Sequence, residues 1–256
     1  MTVRLGLLRW FQATTLRHAA GVIFLSDYAR RRITAEIGAL SAPVSTIPHG
    51  IDPPFSHPPR AQRDVAEYST KRPMRAIYVS TVDMYKHQWR VAEAVVALRA
   101  QGLPLALDLV GPAYPPALRR LRETLRRIDP VGAAVRYAGP VPHAELSERY
   151  AAADLGVFAS SCENLPNTLI ECMASGLPIA CSNRGPMPEV LGNRAVYFEP
   201  ESSASIADAM RALVTSRELR ERAAHDAFGR ARVYSWERCA SETLGFLARI
   251  ARCAER

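Results

Sequence analysis

The chain has 256 residues, 48% apolar and 23% charged, which is the balance of a globular protein with room for a sizeable core. A net charge of +8 favours anionic partners, but the arginines run along helices without interleaved aromatics, so nucleic acid is not expected. No apolar run approaches the roughly 18 residues that span a bilayer, Arg4, Arg9 and Arg17 interrupt any secretory signal, and Cys162, Cys172, Cys181, Cys239 and Cys253 lack Cys-x-x-Cys spacing, as reduced cytosolic thiols do.

Residues 3–18 are predicted as a helix carrying Leu5, Leu7, Leu8, Trp10, Phe11 and Leu16. Its apolar set is wide for a surface helix, so it either packs on another part of the protein or lies on a membrane surface as a basic amphipathic helix. Residues 21–26 read as a buried strand, and Asp27 is placed to cap a basic helix reaching Ile37. A short strand over 44–47 runs into Pro48-His49-Gly50-Ile51-Asp52. The stretch 53–73 holds five prolines and reads as a loop or linker.

A parallel-type strand follows at 75–80, then a loop over 81–85, then a helix opened by Lys86-His87-Gln88 and running to Ala100. Lys86 therefore stands between the carboxyl end of a strand and a helix N-terminus, where its compact charge suits a diphosphate. Residues 105–111 form the next strand and turn. A helix over 116–128 presents Arg119, Arg120, Arg122, Arg126 and Arg127 as an exposed basic face. A strand at 135–139 leads into Pro140-Val141-Pro142-His143, an apolar wall for a planar base or an ordinary turn before another helix.

Leu155-Gly156-Val157-Phe158-Ala159 is short enough for a buried strand. It feeds Ser160-Ser161-Cys162-Glu163-Asn164-Leu165-Pro166, and then a helix that stops at Gly176 with Pro178 beyond it. Glu163 lies in the loop and Glu171 a turn into the helix, so two carboxylates flank the amides around Asn167, Thr168 and Leu169. In an open α/β sheet this is where anionic ligands bind. A strand over 178–181, a loop and helix start over 183–189, and helices over 203–214, 217–232 and 236–251 complete the chain. The alternation predicts an α/β fold, a Rossmann-like parallel sheet with helices on both faces.

Set in strand–loop–helix–Gly-x-Pro–strand order, the spacing Glu163-x7-Glu171 resembles the donor-site motif of family 4 glycosyltransferases, which have the GT-B fold. The resemblance covers roughly residues 20–250. It implies that Glu171 binds the ribose hydroxyls of a nucleotide-sugar and that Glu163 contacts the transferred sugar. Lys86 and the Asn167, Thr168 and Leu169 amides would stabilise charge on the departing diphosphate. The loop holding Val141 would line the base through backbone groups, and His49 with Gly50 would form the turn that ends the crossover into the donor domain, His49 facing the cleft. Relatives carry an arginine a few residues before Lys86; here Ser80-Thr81 stand in that place, so Arg184 or backbone amides would take over its part, and Thr81 is counted among the donor-binding residues. Where relatives carry a glycine pair, Gly185 alone remains.

The resemblance makes residues 21–256 a donor domain that includes the C-terminal return helix, and residues 1–20 the remnant helix of an acceptor domain expected to precede it. The chain would then be a fragment, a split subunit or a degenerate remnant of a retaining hexosyltransferase. The other readings are a noncatalytic nucleotide-sugar-binding or regulatory subunit, and a GT-B epimerase or phosphorylase. The expected partners are the nucleotide-sugar, an acceptor glycan or lipid-linked acceptor, and a subunit carrying the acceptor domain or a second copy of the chain. The expected place is the cytoplasm or the inner membrane face. No cofactor is expected beyond the donor, and no metal, since lysine and helix dipole can do that work.

Overall fold

In the computed structural model, residues 3–254 are described, and they form two compact units, residues 3–50 with 234–254 and Ile51–Val233. The first begins with α1 (Val3–His18), β1 (Val22–Phe24), α2 (Asp27–Ile37) and β2 (Val44–Thr46). β1 and β2 pair in parallel. Val22, Phe24 and Ala29 form a small core against Leu16, Ile33 and Val44. The cap of α2 is Ser26, one residue before the one expected, whose Oγ accepts the Ala29 N–H at 3.1 Å. Asp27 instead accepts the Thr46 hydroxyl at 2.8 Å.

The second unit opens with two short 3-10 turns, Pro53–Phe55 and Val65–Glu67, inside the stretch expected to be a plain loop. Then come β3 (Met74–Val79), a 3-10 turn (Met84–Lys86), α3 (Gln88–Ala100), β4 (Leu105–Val110), α4 (Pro115–Ile128) and β5 (Val135–Gly139). α5 (His143–Ala151), β6 (Leu155–Phe158), α6 (Asn167–Ala174), β7 (Ile179–Ser182), α7 (Met187–Leu191) and β8 (Val196–Phe198) follow. α8 (Ser203–Thr215) and α9 (Arg217–Ala231) end the unit. α10 (Trp236–Ala254) returns to the first unit, where Phe246 is buried and, with Ile250, reaches Gly21.

All six strands β3–β8 pair in parallel, in the order β5-β4-β3-β6-β7-β8. β6 and β7 are buried along their whole length, as sheet strands covered on both faces must be. α3 packs on α4 and α8, while α6 packs on α9. Gly156 in β6 lets α6 approach, because a Cβ there would collide with the Cys172 sulfur. The chain runs outward from β3 through β4 and β5, then reverses through β6, β7 and β8. β3 and β6 therefore flank the point where strand order switches, and the loops at their carboxyl ends open on the crevice that such a switch creates.

Two local features depart from the expected pattern. β8 was not anticipated, because three residues are too few to show a period. The helix expected to open at Lys86 is broken there: His87 takes the left-handed conformation, φ 52°, and separates the 3-10 turn from α3.

Candidate functional site

The β3 loop brings Lys86 to the switch point and the β6 loop brings Glu163. Their side chains form an ion pair. Only 10% of the lysine side chain and 15% of the glutamate side chain are exposed, so the pair is no solvated surface contact. The ammonium lies 5.2 Å from the Tyr85 ring centre and 5.5 Å from that of Phe158, close enough for both rings to stabilise the charge.

The two loops are tied together beside this pair. The Ser161 N–H donates to the Tyr85 carbonyl at 2.8 Å, and the Ser161 hydroxyl to the same oxygen at 3.2 Å. His87 Nε2 meets Ser161 Oγ at 2.9 Å, and the Tyr78 hydroxyl donates to the Lys86 carbonyl at 2.9 Å. Burial pushes the His87 imidazole below its usual range, which favours the neutral ring, and with the Ser161 proton given to Tyr85 the His87 Nε2–H is the donor to Ser161 Oγ. Thr81, exposed at the loop's start, accepts from the Gln88 side chain through its carbonyl at 2.9 Å, and the same amide nitrogen donates to Ser80 Oγ at 2.9 Å.

Glu171 sits differently. Its side chain is 13% exposed, and Oε1 stands 3.5 Å from His143 Nε2 at the outer edge of hydrogen bonding. Oε2 is buried without a hydrogen-bond partner. Burial raises its pKa, His143 opposes the rise, and the negative charge of Asp52 adds to it. His143 also meets the Phe55 ring edge-on at 5.2 Å. Asp52 and Phe55 thus add to the surroundings of Glu171 and His143, which the sequence did not signal. The clue for His143 was its place directly after the Val141 loop, at the first position of α5. Val141 itself is half-buried between exposed Pro140 and Pro142.

The geometry bears on two expected contributions. The Asn167 N–H already donates to the Leu165 carbonyl at 3.1 Å and the Leu169 N–H to the Pro166 carbonyl at 3.0 Å, because the turn entering α6 closes on itself. That leaves the Thr168 amide as the candidate of the three. Arg184 pairs with Glu199 through Nε at 2.9 Å and Nη2 at 2.7 Å, where 55% of its side chain is exposed. Gly185, with φ 60°, lies against the Glu163 backbone.

His49 and Gly50 belong to the first unit. His49 stacks on Trp236, 5.6 Å between ring centres and 27° between planes. A Cβ at Gly50 would strike the Trp236 backbone, so the turn packs against the start of α10. Among the described residues no group of three His, Cys, Asp or Glu side chains is placed to hold a metal ion, and no helix is long and apolar enough to cross a membrane.

The profile of the family described as Glycosyl transferases group 1 matches residues 62–230. O-antigen chain mannosyltransferase B of Escherichia coli is 32% identical over 110 residues, 43% of this chain and 29% of that protein. A GDP-mannose-dependent alpha-(1-6)-phosphatidylinositol dimannoside mannosyltransferase of Mycobacterium tuberculosis is 25% identical over 249 residues, 95% of this chain and 62% of that protein. The chain thus spans less than two thirds of the length of either. The crystal structure of Anabaena HepE in complex with UDP and glucose superposes with a TM-score of 0.77 at 17% identity, over 94% of this chain and 66% of that one; likeness at that identity shows the fold.

Proposed function

The chain belongs to the glycosyl transferases group 1 family, and on that premise we propose that it supplies the donor-binding half of a retaining, family 4 hexosyltransferase. One observation carries this reading. At the switch point of the sheet, a shielded lysine faces one glutamate, and a second glutamate eight residues on keeps a buried oxygen without a partner. A nucleoside diphosphate sugar matches that set group for group.

In this reading the ribose hydroxyls donate to Glu171 and satisfy Oε2. The base lies along the Val141 loop. Lys86, helped by the Thr168 amide, meets the diphosphate and stabilises the charge that grows on it as the bond to the sugar breaks. Glu163, released from Lys86 by the incoming phosphates, accepts from hydroxyls of the sugar. Arg184 pairs with Glu199, and in this reading Lys86 carries the cationic share. The acceptor, a glycan or a lipid-linked sugar, would be presented by a further domain or subunit.

Calorimetry with UDP and GDP tests the reading. A hydrogen bond to a charged group contributes about 1.5–3 kcal/mol, so Lys86→Ala should weaken the preferred nucleotide about tenfold to a hundredfold. Unchanged affinity removes Lys86 from the site and the reading with it.

A further inference from the structure

The opposite edge of the six-stranded sheet holds a feature that the donor chemistry does not use. A cleft of about 260 Å³ is lined by Arg60, Arg63, Tyr68, Arg72, Arg75 and Asp154. Arg72 leads into β3 and Asp154 into β6, so the cleft lies at the amino ends of the two strands whose carboxyl ends carry Lys86 and Glu163. The six residues of β3 put roughly 17–20 Å between these edges, at about 3.3 Å per residue.

The carboxylates nearby are already spent. Asp154 accepts from Arg60 Nη2 at 2.9 Å, from the Tyr68 hydroxyl at 3.2 Å and from the Arg75 N–H at 2.9 Å. Asp108 is shared by Arg75 at 2.9 Å and Arg136 at 2.8 Å. Asp64 and Glu67 cap the Val65–Glu67 turn. Arg60 is held rigid by the Ala151 and Ala153 carbonyls. Among the described residues, no ion pair engages Arg63 or Arg72.

Directly behind Arg63 lies Arg220, 1% exposed. It donates to the Leu213, Val214 and Arg63 carbonyls at 2.6, 2.7 and 2.5 Å and has no carboxylate in its first ring of partners. Burial opposes its charge, and Asp154, Asp64 and Glu221 offset that only from a distance, so a further anion nearby lowers the remaining penalty. The cleft therefore combines two unpaired guanidinium forks, two further arginines fixed in place, a phenol and a buried cation.

We propose that this cleft binds a small phosphorylated anion, a phosphate monoester or diphosphate gripped by Arg63 and Arg72, at a site separate from the donor site. Planar forks aimed into a cleft match phosphate oxygens two at a time, which a lysine cannot do. The proposal stands independently of the donor reading, since it shares no residue with it.

The test is calorimetry with inorganic pyrophosphate on the Lys86→Ala protein, in which the other anion site is weakened. Adding Arg63→Ala and Arg72→Ala should weaken the remaining pyrophosphate binding by roughly a hundredfold. The same pair in the otherwise unchanged chain should leave UDP affinity as it was. Both side chains are exposed, so the thermal melt should not move. The Arg63→Lys, Arg72→Lys pair should recover only part of the affinity, because charge returns without the fork. Pyrophosphate binding that ignores the arginine substitutions overturns the proposal. Arginine-dependent binding seen only with phosphatidylglycerol vesicles also overturns it, since the anion would then be a bilayer headgroup.

Discussion

Glu163 and Glu171 come from one short stretch of sequence, yet the protein holds them in opposite ways. Glu163 is compensated by a lysine against aromatic rings. Glu171 is shielded from water beside another acid, Asp52, and offers an oxygen with no partner. The first carboxylate is occupied by a cation, and the second is buried with one oxygen unpartnered. Spacing brings two acids to one crevice, but each one's surroundings decide what it can bind. Under the proposed roles, one carboxylate trades a cation for sugar hydroxyls while the other accepts from ribose, and the two resting states differ accordingly.

The comparison breaks most sharply at the lysine. Lys86→Met leaves the Glu163 carboxylate without its cation, and removing one partner of a shielded pair should destabilise the fold by about 3–5 kcal/mol. Adding Glu163→Gln should restore most of that, because the orphaned charge goes with it. Urea unfolding of the two single variants and the double variant reads the coupling; additive losses would show that the two residues contribute independently.

Glu171→Gln should act with the opposite sign. The folded-state pKa of Glu171 is raised above 4.5, so ionising it opposes folding. That penalty is absent below the unfolded pKa, grows as pH rises toward the folded pKa, and is fully present above it. The variant should therefore melt higher than the parent near pH 7, by about 2–4 °C for each 1 kcal/mol of penalty removed, with the gain vanishing toward about pH 4. The same variant should weaken UDP or GDP, so that stability and affinity move apart. A melting gain that persists unchanged in acid would mean that burial of the charge is not its source.

The smallest effect concerns His87. Its folded pKa lies below the usual 6.5, so the unfolded chain takes up a proton first as pH falls. Its contribution is full above about pH 6.5 and is lost below it. His87→Gln, which keeps a hydrogen-bonding group near Ser161, should cost under about 1 kcal/mol at neutral pH and flatten this acid slope. Melts across the acid range check it.

Much of the architecture was legible in the chain. The strand at Leu155–Phe158, the loop of small residues and the helix stopped before Gly176 are local signals, and they place Glu163 and Glu171 without tertiary information. Lys86 was legible as a position but not as a partner, since the Lys86–Glu163 pair joins residues far apart in sequence. The Asp52–Glu171–His143 grouping needs three distant segments to converge, and no period announces that. The left-handed break at His87 was hidden because its flanks suit a continuous helix. The pairing of Arg184 with Glu199 likewise joins separate segments and was not legible in the sequence.

The double hold of Ser161 on the Tyr85 carbonyl has a consequence for remodelling. Two loops fastened at a common oxygen are a single inheritable module, because a residue inserted in either would pull the lysine off its register with the glutamate. Exchanging donor preference between relatives should therefore succeed when segments 80–88 and 159–166 are grafted together, and fail when one is moved alone.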